Sequence, residues 1–203
     1  MESKALDIPV QVYYQGNNYK SLANLKQYRV GSVPLPGKPY TGGFPVRVIE
    51  IIKSIIPGPG AGRVLHLYSG RSDIGDVRID LECEEATRNM SVESFTAQDN
   101  STWDWILLDP PYRLIDTSTL KDYADARPLS GSALLRDRLC LYFRHHANNI
   151  LWLDYCSPLL KGFTRARLWF FIPPRVFENV RCLTWLKRNQ GEMPISVGGI
   201  DLT

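Results

Sequence analysis

The residues best placed to do chemistry stand together in Trp103-Asp104-Trp105-Ile106-Leu107-Leu108-Asp109-Pro110-Pro111-Tyr112. The apolar run from Trp105 to Leu108 is short enough for a central strand of a parallel sheet. Two prolines then fix φ and remove two backbone donors, so the strand stops and the chain leaves as a stiff, extended loop. Asp109 and Tyr112 are thereby held at the carboxyl end of a strand, where open α/β sheets place their ligands. An exocyclic amino group on a nucleobase is a poor nucleophile, because its lone pair is delocalised into the ring. A carboxylate and a neighbouring backbone carbonyl can hold its two hydrogens and free that lone pair to point at an electrophile. Tyr112 offers a face on which an extruded base can stack. Asp-Pro-Pro-Tyr also serves as a plain strand-ending turn, since Asp and Pro are common turn residues.

Other elements must position these groups. Arg63 to Gly70 reads as a strand running into Ser69-Gly70, where glycine lets the backbone approach a ligand closely. His66 near its end also reads as a core histidine. Val77 to Leu81 reads as the next short strand, ending near Asp80; nucleotide-binding sheets use an acid there to grip ribose hydroxyls. Glu82 points to the same side by period-two spacing. Gly70 and Asp80 are too close in sequence for a full helix between parallel strands. Ahead of them, Val46 to Ile56 has the apolar spacing of a helix, stopped by the Pro57 to Gly62 run, which lacks the Gly-Lys-Ser/Thr end of a phosphate loop. Glu84 to Phe95 is expected to loop across the sheet edge. Arg113 to Arg127 reads as a mobile loop with Arg113, Lys121 and Arg127 available for phosphates, followed by a helix over Pro128 to His146. Strands are expected at Asn149–Asp154, Ala166–Ile172 and Val180–Lys187, with a shorter one at Ile8–Tyr14 and helical turns at Leu22–Tyr28.

Asp109-Pro110-Pro111-Tyr112 resembles the Asp/Asn-Pro-Pro-Tyr/Phe/Trp signature of S-adenosylmethionine-dependent amino-methyltransferases, of the DNA adenine N6 and cytosine N4 type. His66-Leu67-Tyr68-Ser69-Gly70 is similar to their first cofactor motif, Asp-x-Phe/Tyr-x-Gly, with His66 where an acid is more usual. The motifs follow one another in that family's order, and the resemblance covers roughly Val64 to Lys187. It implies an α/β fold: a Rossmann-like class I methyltransferase sheet with a C-terminal antiparallel edge and a shortened first crossover. It implies S-adenosyl-L-methionine as cofactor and no metal. It assigns catalysis to Asp109, Pro110, Pro111 and Tyr112, and cofactor binding to His66, Tyr68, Ser69, Gly70, Asp80, Leu81, Asn89, Met90 and Asp109. Substrate binding is expected of Tyr112 and of the loop residues Arg113 and Lys121. The expected reaction is methyl transfer to an exocyclic amino group, first adenine N6 in DNA. An RNA base methyltransferase and a catalytically silent nucleic-acid-binding or partner subunit are the alternatives. Tyr40 to Pro45 falls where that family covers the methionine end of the cofactor.

The whole chain fits these expectations. Its 203 residues suit one main domain, residues 46–203, preceded by an arm or cofactor-covering segment over 1–45. A net charge of +3 mildly favours an anionic partner, and the nucleic acid expected is DNA ahead of RNA. Cys83, Cys140, Cys156 and Cys182 are far apart, which indicates neither a zinc site nor a disulfide framework. His145-His146 has no further ligands at metal spacing. No signal peptide or membrane-length apolar run is seen, so a cytoplasmic protein without a membrane partner is expected. No second domain of target-recognition size is visible between or after the motifs, so low specificity or a specificity-supplying partner is expected; the expected assembly is a homodimer or a complex with that partner.

Overall fold

The structure, a computed structural model, describes residues 10–14, 44–56, 58, 60, 62–110, 133–172 and 180–191. The expected turns at 22–28 lie outside these residues. The described elements are β1 (Val10–Tyr14), α1 (Val46–Ile55), β2 (Val64–Leu67), β3 (Val77–Asp80), β4 (Arg88–Asn89), α2 (Val92–Gln98), β5 (Trp103–Leu108), α3 (Ala133–His146), β6 (Ala147–Asp154), β7 (Phe163–Ile172) and β8 (Arg181–Arg188). All eight strands join one sheet in the order β1-β7-β8-β6-β5-β2-β3-β4. β8 runs antiparallel to both β6 and β7, and the other pairings are parallel.

The sheet is covered on both faces, as parallel strands require. On one side α1 packs Val48, Ile51 and Ile52 against Leu107, Leu151, Leu153 and Trp169. On the other, α2 and α3 supply Val92, Phe95, Leu135, Leu139 and Phe143 against Leu65, Leu67, Ile79, Ile106 and Trp152. Burying each such side chain contributes about 1.5–3 kcal/mol. The central strands β2 and β5 are buried almost throughout, and so read as continuous apolar runs rather than alternating ones. The amides of Asp104 and Trp105 both donate to the Arg63 carbonyl, at 3.0 and 3.1 Å. That two-against-one pairing is a bulge, and it turns Trp103 to the same face as Ile106 and Leu108.

Two features depart from expectation. Residues 84–95 are not a plain loop: they hold β4 and the start of α2. Ser91 caps that helix by accepting the Ser94 amide, and Val92 and Phe95 bury its one apolar face. The antiparallel pair β7–β8 is present, but β8 lies inside the sheet and β1, from the N-terminal arm, closes the edge beyond β7. The short first crossover is as expected. Residues 68–76 join two parallel strands without a helix, as do residues 155–162 between β6 and β7. No described helix is long and apolar enough to cross a membrane.

Candidate functional site

β2 and β5 are paired neighbours from which the sheet grows in opposite directions, to β3 and β4 on one side and to β6, β8 and β7 on the other. Such a switch point opens a crevice at the carboxyl ends of the strands. Leu67 and Leu108 are register partners there, so the turn Tyr68-Ser69-Gly70 and the segment Asp109-Pro110 leave the sheet side by side. The sequence separates them by some forty residues; parallel pairing brings them together.

The β2 turn is tightly built. Gly70 has φ 50° and Tyr68 has φ 57°, the one described non-glycine residue in the left-handed region. Such a conformation costs about 1–3 kcal/mol and persists only where surrounding structure imposes it. Asp80 does much of the imposing. Its Oδ2 accepts the Gly70 amide at 2.9 Å, and its Oδ1 accepts the amides of Glu82 and Cys83 at 3.1 and 3.0 Å. The Ser69 amide bonds the Ile79 carbonyl at 3.0 Å, continuing the ladder past the last paired residue.

His66 and Ser69 are wholly buried, so their side chains support the turn from beneath. The His66 ring stacks on Phe44 with centroids 5.0 Å apart, and its Nδ1 lies 3.0 Å from the Ile74 carbonyl. That acceptor requires the proton on Nδ1. Burial is the main reason the imidazole stays neutral, with its pKa lowered to about 4. Phe44 ties the end of the 40–45 segment to this motif. The Tyr68 hydroxyl is buried and has no hydrogen-bond partner among the described residues, and burial pushes its pKa up.

The other residues expected at a cofactor lie around Asp80. Leu81 follows it and is 47% exposed, an apolar side chain left open beside the carboxylate. Asn89 is the register partner of Asp80 on β4, and its amide nitrogen donates to the Cys83 carbonyl at 2.6 Å. Met90 is half-buried against the core. A nucleoside needs an acceptor for ribose, apolar faces for its base and a polar group for the base edge; Asp80, Leu81, Met90 and Asn89 together are of these kinds. The unpartnered Tyr68 hydroxyl adds a polar atom awaiting a partner. The residues present therefore fit the implied cofactor. Asp109 is half-buried and Pro110 buried, whereas Pro111, Tyr112, Arg113 and Lys121 lie outside the described residues.

Sequence reasoning passed over Asp154. It ends β6 as Asp109 follows β5, behind a buried run from Ile150 to Leu153. Trp152 Nε1 donates to its Oδ2 at 3.2 Å and the Tyr155 amide to its Oδ1 at 2.6 Å. Burial raises its pKa, against smaller opposing effects from those bonds and from Arg136. The available signal was an acid closing an apolar strand. Among the described residues no group of three His, Cys, Asp or Glu side chains could hold a metal ion. His146 is engaged structurally, stacked on Tyr142 and bonded to the Ser101 carbonyl at 2.7 Å.

Counted from β2, the strand order is 6-7-5-4-1-2-3 with the seventh strand antiparallel between the fifth and sixth. That is the sheet of class I methyltransferases, with β1 added outside it. Among solved structures the chain is similar to one described as "Putative methyltransferase yhhF from Escherichia coli", at 15% identity and a TM-score of 0.48, over 79% of this chain and 100% of that one. No family model and no curated protein matches the sequence.

Proposed function

We propose that this chain binds S-adenosyl-L-methionine at the carboxyl ends of β2 and β3 and transfers its methyl group to an exocyclic amino nitrogen of a nucleobase, adenine N6 in DNA first. The observation that carries this reading is the placement of Asp109-Pro110 directly beside the Gly70 turn at the switch point. In it, Asp80 faces the ribose, Leu81 and Met90 flank the adenine, Asn89 meets its edge, and Gly70 admits the backbone close to the methionine end. The cofactor supplies a methyl group made electrophilic by its sulfonium.

The chain's own residues prepare the acceptor. The Asp109 carboxylate and the Pro110 carbonyl take the two amino hydrogens, which localises the nitrogen lone pair and aims it. Both acceptors sit at a buried strand end, so their positions are set before the base arrives, where a small misplacement is costly in rate. Tyr112 of the motif stacks on the extruded base, and the basic side chains of Arg113 and Lys121 take flanking phosphates. A second copy of the chain or a specificity subunit supplies target recognition.

The test is transfer of a labelled methyl group from S-adenosylmethionine to single- and double-stranded DNA and to RNA, with Asp109→Ala alongside. Label on adenine in DNA that falls at least a hundredfold in the variant supports the reading. Label on RNA alone moves the substrate to RNA. Cofactor binding without transfer to either would leave a silent, partner-type protein.

A further inference from the structure

The strand next to β5, on the side away from β2, β3 and β4, ends in an aromatic ring at the rim of the sheet. Tyr155 is the first residue beyond β6, and it is 36% exposed although the five residues before it are buried. Its backbone is fixed, because its amide donates to Asp154 Oδ1 at 2.6 Å while Asp154 Oδ2 accepts from Trp152 Nε1. The Asp154 carboxylate is thus engaged in holding the chain where it leaves the strand. Leu108 pairs with Trp152, so Asp109 stands beside Leu153 and Tyr155 lies two positions further on. With strands about 4.8 Å apart and a rise of about 3.3 Å per residue, the Asp109 and Tyr155 backbones are roughly 8 Å apart.

Cations and a second exposed apolar residue surround this ring. Cys182 is the register partner of Asp154, so Arg181, one position before it, lies across from Tyr155. Val180 precedes Arg181 and is 42% exposed. On the α3 side stands Arg136, which is exposed and makes no ion pair among the described residues. Burial dominates the titration of Asp154 and Cys156, and the charge of Arg136 opposes it at both; the guanidinium therefore lies beside the turn that carries Tyr155. The acids here are Asp109, which the proposed chemistry uses, and the buried Asp154. An exposed aromatic face between two guanidinium groups is the composition of a single-stranded nucleic-acid contact, stacking for a base and positive charge for its phosphates.

Resting on the reading given under Proposed function, we propose that the rim formed by Tyr155, Arg181 and Arg136 holds the nucleotide next to the target base. Extruding a base removes a stacking partner from its neighbour in the strand, at a cost of a few kcal/mol. Tyr155 replaces that partner with its own ring, so the neighbouring base stays stacked while the target base sits at Asp109. The roughly 8 Å between the two positions is within the span of a nucleotide or two, since phosphates repeat about every 3.4 Å along a stacked strand and lie further apart where it is unstacked. Arg181 and Arg136, on either side of the ring, take the phosphates that flank it. Stacking is tolerant of base identity, so this contact positions the strand without selecting a sequence.

The probes are oligothymidines carrying one adenine, with the fluorescent base 2-aminopurine as its neighbour on one side or the other. They are titrated into the full chain in the presence of S-adenosylmethionine. In wild type the aminopurine of one probe is expected to stay quenched on binding, stacked on Tyr155. Tyr155→Ala is expected to bind that probe about tenfold more weakly, within the range for a lost base–aromatic stack, and to let the aminopurine brighten. Tyr155→Phe should behave as wild type. Calorimetric affinity for S-adenosylmethionine should be that of wild type in both variants, because β2, β3 and β4 lie on the other side of β5. Arg136→Gln should lower the slope of log Kd against log salt by about one. A wild-type chain in which both probes brighten overturns the assignment, and this reading stands even if the alanine variant does not fold. Wild-type probe affinity in Tyr155→Ala overturns it as well; if that variant also turns a dimer into a monomer in sedimentation, the rim belongs to a second copy. A wild-type chain that binds S-adenosylmethionine but neither probe overturns the DNA reading of the whole site.

Discussion

The carboxylate of Asp80 accepts the amide of Gly70 at 2.9 Å, fastening the turn after β2 to the end of β3. The tie stands where the chain has no crossover helix between the two strands. A helix packed there would hold the turn by burying apolar area; here one carboxylate does so with three backbone amides.

Asp80→Ala is therefore expected to destabilise the fold by about 3 kcal/mol, the scale of losing hydrogen bonds to a charged group. Asp80→Asn, which keeps one acceptor oxygen, is expected to lose less. Urea unfolding measures both. An alanine variant as stable as wild type would mean that the turn is held some other way.

His66 gives the fold a defined acid sensitivity. Its pKa falls from an unfolded value of 6.5 to about 4 in the folded chain, so its contribution is fully present above pH 6.5. As pH drops from 6.5 toward 4, the unfolded chain takes up the proton first and stability is lost, by on the order of 3 kcal/mol in all. His66→Phe keeps a ring for Phe44 to stack on and removes the titration. The wild-type minus variant difference in unfolding free energy should slope across that window, and a flat difference would show that His66 is not buried as described.

At the opposite end of the sheet, Asp99 accepts from Tyr142 at 2.5 Å and from Trp103 Nε1 at 2.9 Å. Burial works against its charge, but these bonds and those from Ser101 outweigh it and hold its pKa below the usual carboxylate range. Tyr142→Phe should cost about 1–2 kcal/mol at neutral pH. A group with a depressed folded pKa stabilises above its unfolded value and loses that as pH falls through the folded one. The variant's acid limb should accordingly be shallower in urea unfolding below about pH 4.

Tyr68 separates ligand binding from stability. Its hydroxyl is buried without a partner among the described residues, so Tyr68→Phe should leave thermal stability unchanged or raise it by up to about 1 kcal/mol. If a ligand in the crevice supplies that partner, the same variant should bind S-adenosylmethionine several-fold more weakly. A variant that is clearly less stable and binds normally would place the hydroxyl's partner within the protein.

Much of this was legible in the sequence because the central strands are buried on both faces and show as unbroken apolar runs bounded by glycine and proline. Helix α2 was not legible. It is a short helix with two buried residues, Val92 and Phe95, amid polar neighbours, and its clearest mark is the Ser91 cap. β1 shows as a strand, but its seat beyond β7 depends on non-local pairing that no local pattern encodes. In the site, Asp109 announced itself through its prolines, while Asp154 ends an equally apolar strand without them. The interior role of His66 follows from the fold of residues 71–76 over it, which a strand-end position alone does not reveal.

The measurement that tests the central claim most directly is calorimetric titration of S-adenosylmethionine into the purified chain and into Asp80→Ala. Stoichiometric binding by wild type that weakens at least tenfold in the variant is the predicted result. Heats no different from dilution in wild type, with the fold intact by circular dichroism, would contradict it and leave a methyltransferase sheet without its cofactor.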